Sequence, residues 1–286
     1  MTSLIIGCGY LGRRVATRWR DTGEEVFALT RSTENAEKFR SDGIHPIIGD
    51  ICRSESLRNL PSVETVLYCV GFDRNSGNTH EEVTCDGLQN FLLTLGSGCR
   101  RFVYVSSTSV YGQNMGEWVN EQSICEPTQI GGQLNLRAEQ IVNNHFKLTN
   151  VSTVTVRLAG TYGPQRLLSR IESLRDGQPI AGRGDAWLNL IHVDDAANAV
   201  VACVEQAAKS SKYIVADDQP IRRQDYFELL AGLVDAPPPK FDASLTTTRG
   251  SGGLNKRCSN QKIRLDLSWK PNYSSILSGL PAALSG

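Results

Sequence analysis

Hydrophobic residues in the first 160 positions fall into short β-branched runs separated by stretches of helical period. The runs at residues 3–6, 25–30, 43–48, 65–70, 101–106 and 152–158 are almost continuously apolar, which predicts strands covered on both faces of a sheet. Between them, residues 11–21, 34–41, 80–95 and 131–148 repeat apolar side chains three and four apart, the spacing of helices with one buried face. Strand and helix in alternation is the rhythm of a parallel sheet with crossover helices. The expected fold class is therefore α/β, a doubly wound parallel sheet of Rossmann type.

After residue 160 this rhythm loosens. Residues 165–175 read as helix, 185–191 as extended chain, 194–206 as a helix with an Ala-rich face, 213–216 as a strand and 221–234 as a helix. Residues 236–253, rich in Pro, Gly, Thr and Ser, read as loop. The expected organisation is a sheet domain over residues 1–160 and a small C-terminal α/β lobe over 161–286. A stretch at about 187–215 would return to the core sheet.

Charge and composition narrow the function classes. Lys plus Arg and Asp plus Glu both number 30, and no long run of one sign occurs. The electrostatic footprint of a nucleic-acid binder is absent, and a small neutral or anionic molecule is the expected partner. The longest apolar stretches, residues 151–159 and 196–204, fall short of the ~18 residues that cross a bilayer, so no membrane association is expected. An apolar strand precedes Arg13, Arg14, Arg18 and Arg20, the reverse of a secretion signal's charge order, and the expected location is cytoplasmic. Eight cysteines are scattered without a C-x-x-C pair; they read as reduced thiols filling space, with no metal site.

The strongest chemical signal is Leu4-Ile5-Ile6-Gly7-Cys8-Gly9-Tyr10-Leu11-Gly12, an apolar strand running into G-x-G-x-x-G with a helix behind it. Gly7 permits the tight turn, Gly9 lets backbone approach a diphosphate, and Gly12 lets the helix pack on the strand. Residues 1–160 are therefore a dinucleotide-binding domain, with Gly7, Gly9, Tyr10, Leu11 and Gly12 at the diphosphate. The end of the second strand reads the ribose. A site for NAD(H) places Asp or Glu there; this chain has Thr30-Arg31-Ser32. Arg31, with Ser32 or Arg13 beside it, suits a 2′-phosphate, so NADP(H) is preferred and NAD(H) remains an option. After the third strand, Asp50 and Ile51 are placed to meet the adenine, and Val70-Gly71 after the fourth strand completes the cofactor surface.

With this turn, Asp50 and the segment Phe102-Val103-Tyr104-Val105-Ser106-Ser107-Thr108-Ser109-Val110-Tyr111-Gly112, the chain resembles the extended and atypical short-chain dehydrogenase/reductases, the NAD-dependent epimerase/dehydratase type. Residues 157–164, Ile191-His192-Val193-Asp194-Asp195 and a YeeZ-like run Asn255-Lys256-Arg257-Cys258-Ser259-Asn260 extend the resemblance over nearly the whole chain. It implies an oxidoreductase or epimerase acting on a hydroxyl or carbonyl of a small, sugar-like molecule. It also leaves a homodimer open, through helices near residues 85–95 and 134–142.

In typical members a Tyr-x-x-x-Lys pair works with a Ser at the end of the fifth strand, the Lys lowering the Tyr pKa from ~10. Ser107 matches that Ser, but the Tyr and Lys positions fall on Gly131 and Asn135, and residues 127–146 contain neither Tyr nor Lys. Ser107 and Tyr111 are the candidate catalytic residues. Tyr162 is a second candidate phenol, and Lys256 or Arg166 is the candidate cation for either phenol. The His-Val-Asp-Asp stretch reads as a strand end and helix cap, with Asp194 or Asp195 as the N-cap. The alternative function is a non-catalytic NADP(H)-binding sensor.

Overall fold

The structure is a computed structural model describing residues 1–208, 210–245 and 254–285. Its central sheet contains β1 (Thr2–Ile6), β2 (Glu25–Thr30), β3 (His45–Ile48), β4 (Thr65–Tyr68), β5 (Arg101–Ser107), β6 (Ser152–Leu158) and β7 (Ser211–Val215). These seven strands lie in the order β7-β6-β5-β4-β1-β2-β3. β1 pairs in parallel with β2 on one side and β4 on the other, Ile6 lying opposite both Leu29 and Tyr68. Chain order reverses at β1, and the carboxyl ends of β1 and β4 flank the crevice where a doubly wound sheet takes its ligand. The helices that group with this sheet are α1 (Gly12–Asp21), α2 (Thr33–Ser41), α3 (Gly87–Thr94) and α4 (Ile130–Phe146), joined by residues 197–206 of a further helix, Val193–Gln206.

The apolar runs form strands because both of their faces are covered. Leu4, Ile5, Ile6, Val66 and Leu67 have no exposed surface. On one side, the rings of Tyr68, Phe91 and Phe102 sit 5.7 to 6.4 Å apart and join β4, α3 and β5. α1 buries Val15, Ala16 and Trp19, the face its spacing predicts.

Chain contacts divide the protein into two units. The first comprises residues 1–110, 130–157 and 197–213, the second 111–129, 158–196 and 214–286. The expected helix over 80–95 is in fact a π-turn at Glu82–Asp86 followed by α3. A Cβ at Gly87 would come 2.7 Å from Ile51, so the chain there is pressed against its neighbour and the turn widens before the regular helix begins.

A buried polar cluster fixes α4 against the sheet in the first unit. The Arg157 guanidinium donates through Nε and Nη2 to Glu139 at 2.9 and 2.6 Å, and the Ser106 hydroxyl donates to Glu139 Oε1 at 2.7 Å. Glu139 and Arg157 are 1% and 2% exposed, so each charge depends on the other to offset its lost hydration.

The second unit is assembled from very short strands. Gly160–Tyr162 pairs in parallel with Leu190–His192, and Glu117–Val119 pairs in parallel with Lys256–Cys258. Trp187–Leu188 pairs antiparallel with Ile221–Arg222. The sequence reads 185–191 as one extended segment; in the structure it is two strands with different partners. The expected loop over 236–253 contains the strand Phe241–Asp242, paired with Ile180–Ala181, and the rest of that reading from residue 246 lies outside the described residues. The unit's core gathers Tyr162, Tyr226, Phe227, Leu230, Ile276 and Leu280. Asp195 does not cap its helix: it is fully buried and accepts the backbone N–H groups of Asn272 and Tyr273 at 2.8 and 2.9 Å. At that helix start, His192 Nδ1 accepts from Asp194 N at 3.2 Å. Asp217 is 2% exposed; its Oδ1 accepts from Gln219 N, while Oδ2 is buried without a hydrogen-bond partner among the described residues. Burial, with Asp218 and Asp195 nearby, pushes its carboxyl up from 3.8 to about 8.

Two outcomes follow from these carboxyls. Glu139→Ala removes the carboxylate that faces the buried Arg157 guanidinium and should cost about 3–5 kcal/mol of unfolding free energy in urea denaturation. The double change Glu139→Leu with Arg157→Met should recover much of that loss. Asp217, with its folded pKa raised, stabilises the protein below pH about 4. That stabilisation is lost as pH rises toward about 8, with a slope of at most about 1.4 kcal/mol per pH unit. Asp217→Asn should remove this slope when denaturation is compared at pH 5 and pH 8.

Candidate cofactor site

The turn after β1 is built backbone against backbone. Gly7 has φ +90°, and a Cβ there would lie 2.7 Å from Cys69 C and O and from Val70 Cα. Gly12 is almost as tight, its Cβ position 2.8 Å from the Gly7 carbonyl oxygen. Gly9 differs: nothing lies within 4 Å of its Cβ position, so the face that would meet a diphosphate is open. Leu11, the N-cap of α1, supplies no side-chain cap, and the first turn carries no acidic residue. Helix amides without a cap or a repelling carboxylate form a natural anion receptor, and these residues fit a dinucleotide's diphosphate. Tyr10 borders the turn, with the Arg14 guanidinium 4.5 Å from its ring centre.

At the far end of this surface, Arg31 is exposed and makes no hydrogen bond or ion pair among the described residues. Ser32 is the N-cap of α2, its Oγ accepting from Asn35 N at 3.2 Å. Arg13, the other guanidinium the sequence offers here, is engaged with Asp42 at 2.7 Å. Asp50 forms an Asx turn, Oδ1 accepting from Cys52 N at 3.0 Å. Ile51 is a core residue, 7% exposed and packed on Gly87, so only its backbone can reach a ligand. Val70 is half-buried, and Gly71 is exposed with open space over its Cα.

Toward the chemistry, Ser107 ends β5 half-buried, and its Oγ accepts from Ser109 N at 3.1 Å while its own proton stays available. Tyr111 lies in the second unit with no exposed surface, so its phenol offers a substrate no open face. Tyr162 is 2% exposed, with its hydroxyl buried without a partner among the described residues. Burial, followed by Asp217 and Asp195, raises its pKa, and neither Lys256 nor Arg166 is among the groups acting on it. His192 is equally buried, its ring 4.3 Å from that of Tyr273.

The first turns of α4 present Gly131 and Asn135. The Asn135 amide donates back to the Gly131 carbonyl at 2.7 Å. Beside Gly131 stands His80, whose Cε1 is 3.3 Å from the place a Cβ there would take. His80 stacks on Phe72, centroids 4.4 Å apart and planes within 11°. The sequence reading did not single out His80. Its usable signal was a titratable side chain at the end of the loop that begins with Val70-Gly71.

A sequence profile of the NAD dependent epimerase/dehydratase family matches residues 3–216. The chain belongs to this family. Protein YeeZ of Escherichia coli is 25% identical over 256 residues, covering 86% of this chain and 88% of that protein. A solved NAD-dependent epimerase/dehydratase of Methylobacillus flagellatus is 28% identical, covers 99% of this chain and 97% of its own, and superposes with a TM-score of 0.78. The UDP-glucose 4-epimerase of Thermotoga maritima reaches a TM-score of 0.84 at 18% identity, covering 100% and 98%, a likeness of fold.

The glycines separate folding from binding. Gly9→Val should change stability by less than about 1 kcal/mol, because its Cβ position is open, yet abolish the heat of dinucleotide binding in calorimetry. Gly7→Ala meets backbone at 2.7 Å and a left-handed φ, and should lower stability by about 1–3 kcal/mol as well as weaken binding.

Proposed function

We propose that this member of the family binds NADP(H) in preference to NAD(H). We further propose that it oxidises or reduces a hydroxyl or carbonyl of a small, sugar-like molecule, as a reductase or an epimerase. The observation that carries the cofactor choice is Arg31: an exposed guanidinium with no hydrogen bond or ion pair among the described residues, at the end of β2 where the sequence Thr30-Arg31-Ser32 holds no carboxylate to repel a 2′-phosphate. A planar fork of N–H donors on the phosphate would recover energy that the free chain leaves unused. Support for the substrate class is the likeness to a fold whose Thermotoga maritima example holds UDP-glucose.

The Gly7–Gly12 turn would hold the diphosphate, Arg31 and the Ser32-capped start of α2 the phosphorylated ribose, and Asp50 the adenine. A bound nicotinamide supplies the acceptor or donor of a hydride. Ser107 is the residue that orients the substrate oxygen. Its Oγ accepts from Ser109 N, which leaves the hydroxyl proton for a bond to the substrate oxygen. One feature favours a second reading, a sensor that binds NADP(H) without chemistry: α4 carries neither the Tyr nor the Lys of typical members. Such a sensor would bind oxidised and reduced cofactor with unequal affinity and turn over nothing.

Titration calorimetry with NADP⁺ and NAD⁺ decides the cofactor. The expected result is tighter binding of NADP⁺. Arg31→Ala should weaken NADP⁺ by tenfold or more, about 1.4 kcal/mol or above, with NAD⁺ unchanged. Tighter binding of NAD⁺ by the native chain would overturn the preference.

A further inference from the structure

Proton transfer at a substrate hydroxyl needs a titratable group that solvent and substrate can both reach, at the carboxyl edge of the sheet. The first unit offers few. Tyr68 and Tyr104 are core residues, 2% and 3% exposed, and burial raises both phenols. Burial pushes the Cys8 thiol up to about 12 and the Cys69 thiol higher still. Asp50 belongs to the far side of the surface, after β3. Residues 130–136 of α4, Ile-Gly-Gly-Gln-Leu-Asn-Leu, hold nothing that titrates.

His80 satisfies the requirements. It ends the loop leaving β4, the loop that begins with Val70 and Gly71, and it is held flat by Phe72, the residue after Gly71. Its ring is half-buried, and its nitrogens make no hydrogen bond among the described residues. Its Cε1 lies 3.3 Å from the place a Cβ at 131 would take, the position that typical members give to the reacting phenol. The charged groups around it are settled elsewhere: Glu81 pairs with Arg137 of α4, and Glu82 accepts from Thr79 N at 2.6 Å. Burial, and then Arg74, lowers its pKa from 6.5, so the imidazole is neutral and ready to accept at pH 7.

We infer that His80 is the proton acceptor and donor of this site, an imidazole entering from the β4 loop in place of a phenol projecting from α4. The inference rests on the oxidoreductase reading above. On oxidation, the substrate O–H bond breaks and its proton passes to an imidazole nitrogen. The C–H bond on the same carbon breaks with its electron pair going to the nicotinamide. The products are a carbonyl, an imidazolium and reduced dinucleotide, and the half-exposed ring returns its proton to solvent. Reduction runs the same transfers backward.

The test uses the full chain with labelled histidine, four residues in all, and assigns the His80 signal by its absence in His80→Gln. The NMR titration midpoint of His80 is measured with saturating NADP⁺ and with saturating NADPH. A ring beside the nicotinamide feels the positive charge of the oxidised form, so the midpoint should be lower with NADP⁺ by about half a pH unit or more. Equal midpoints in the two complexes would overturn the inference while leaving cofactor binding intact. Absence of any binding heat with either cofactor would instead overturn the reading on which it rests. His80→Gln should bind NADP⁺ within twofold of the native chain. On any aldehyde or ketone that the native chain reduces with NADPH, the variant should lose at least 100-fold in kcat with KM for NADPH unchanged. Retained turnover in His80→Gln would also overturn the assignment.

Discussion

Everything at the carboxyl edge of the sheet depends on one backbone contact, Gly7 pressed against Cys69 and Val70 with 2.7 Å left for any Cβ. This contact joins the turn after β1 to the end of β4, the two strands that flank the switch point. It aims the N-terminus of α1 at the crevice and, from the same place, launches the loop carrying Gly71, Phe72 and His80. The candidate diphosphate receptor and the candidate proton-transfer group are thus two branches of a single junction.

The two units handle buried carboxyls in opposite ways. Glu139 receives a guanidinium and a hydroxyl and stays inside as part of an ion pair that seats α4. Asp217 has one oxygen without a partner, and burial acts on it in favour of the protonated form. The first arrangement gives α4 a fixed register relative to β5 and β6. The second makes the neighbourhood of the short strands sensitive to pH through a group with no evident part in the chemistry.

The sheet was legible because its strands are long, apolar on both faces and bounded by helices of clear period, as at residues 3–6 and 101–106. The strand–turn–helix geometry at Gly7–Gly12 was legible because glycines at that spacing each meet a distinct steric situation, two closed and one open. The short pairings of the second unit were not, since two- or three-residue strands such as Trp187–Leu188 and Lys256–Cys258 show no alternation to read. At the site, the empty positions 131 and 135 were visible in the chain, but the group standing beside Gly131 was not. His80 lies 51 residues before Gly131 in sequence, and only the packing of the β4 loop on α4 brings them together.

That packing also constrains position 131. A side chain introduced there starts 3.3 Å from the imidazole, so any residue larger than glycine presses on His80 and the ring must give by a few tenths of an ångström. The bareness of the helix at this point and the flat seat of the histidine on Phe72 are thus two sides of one fit.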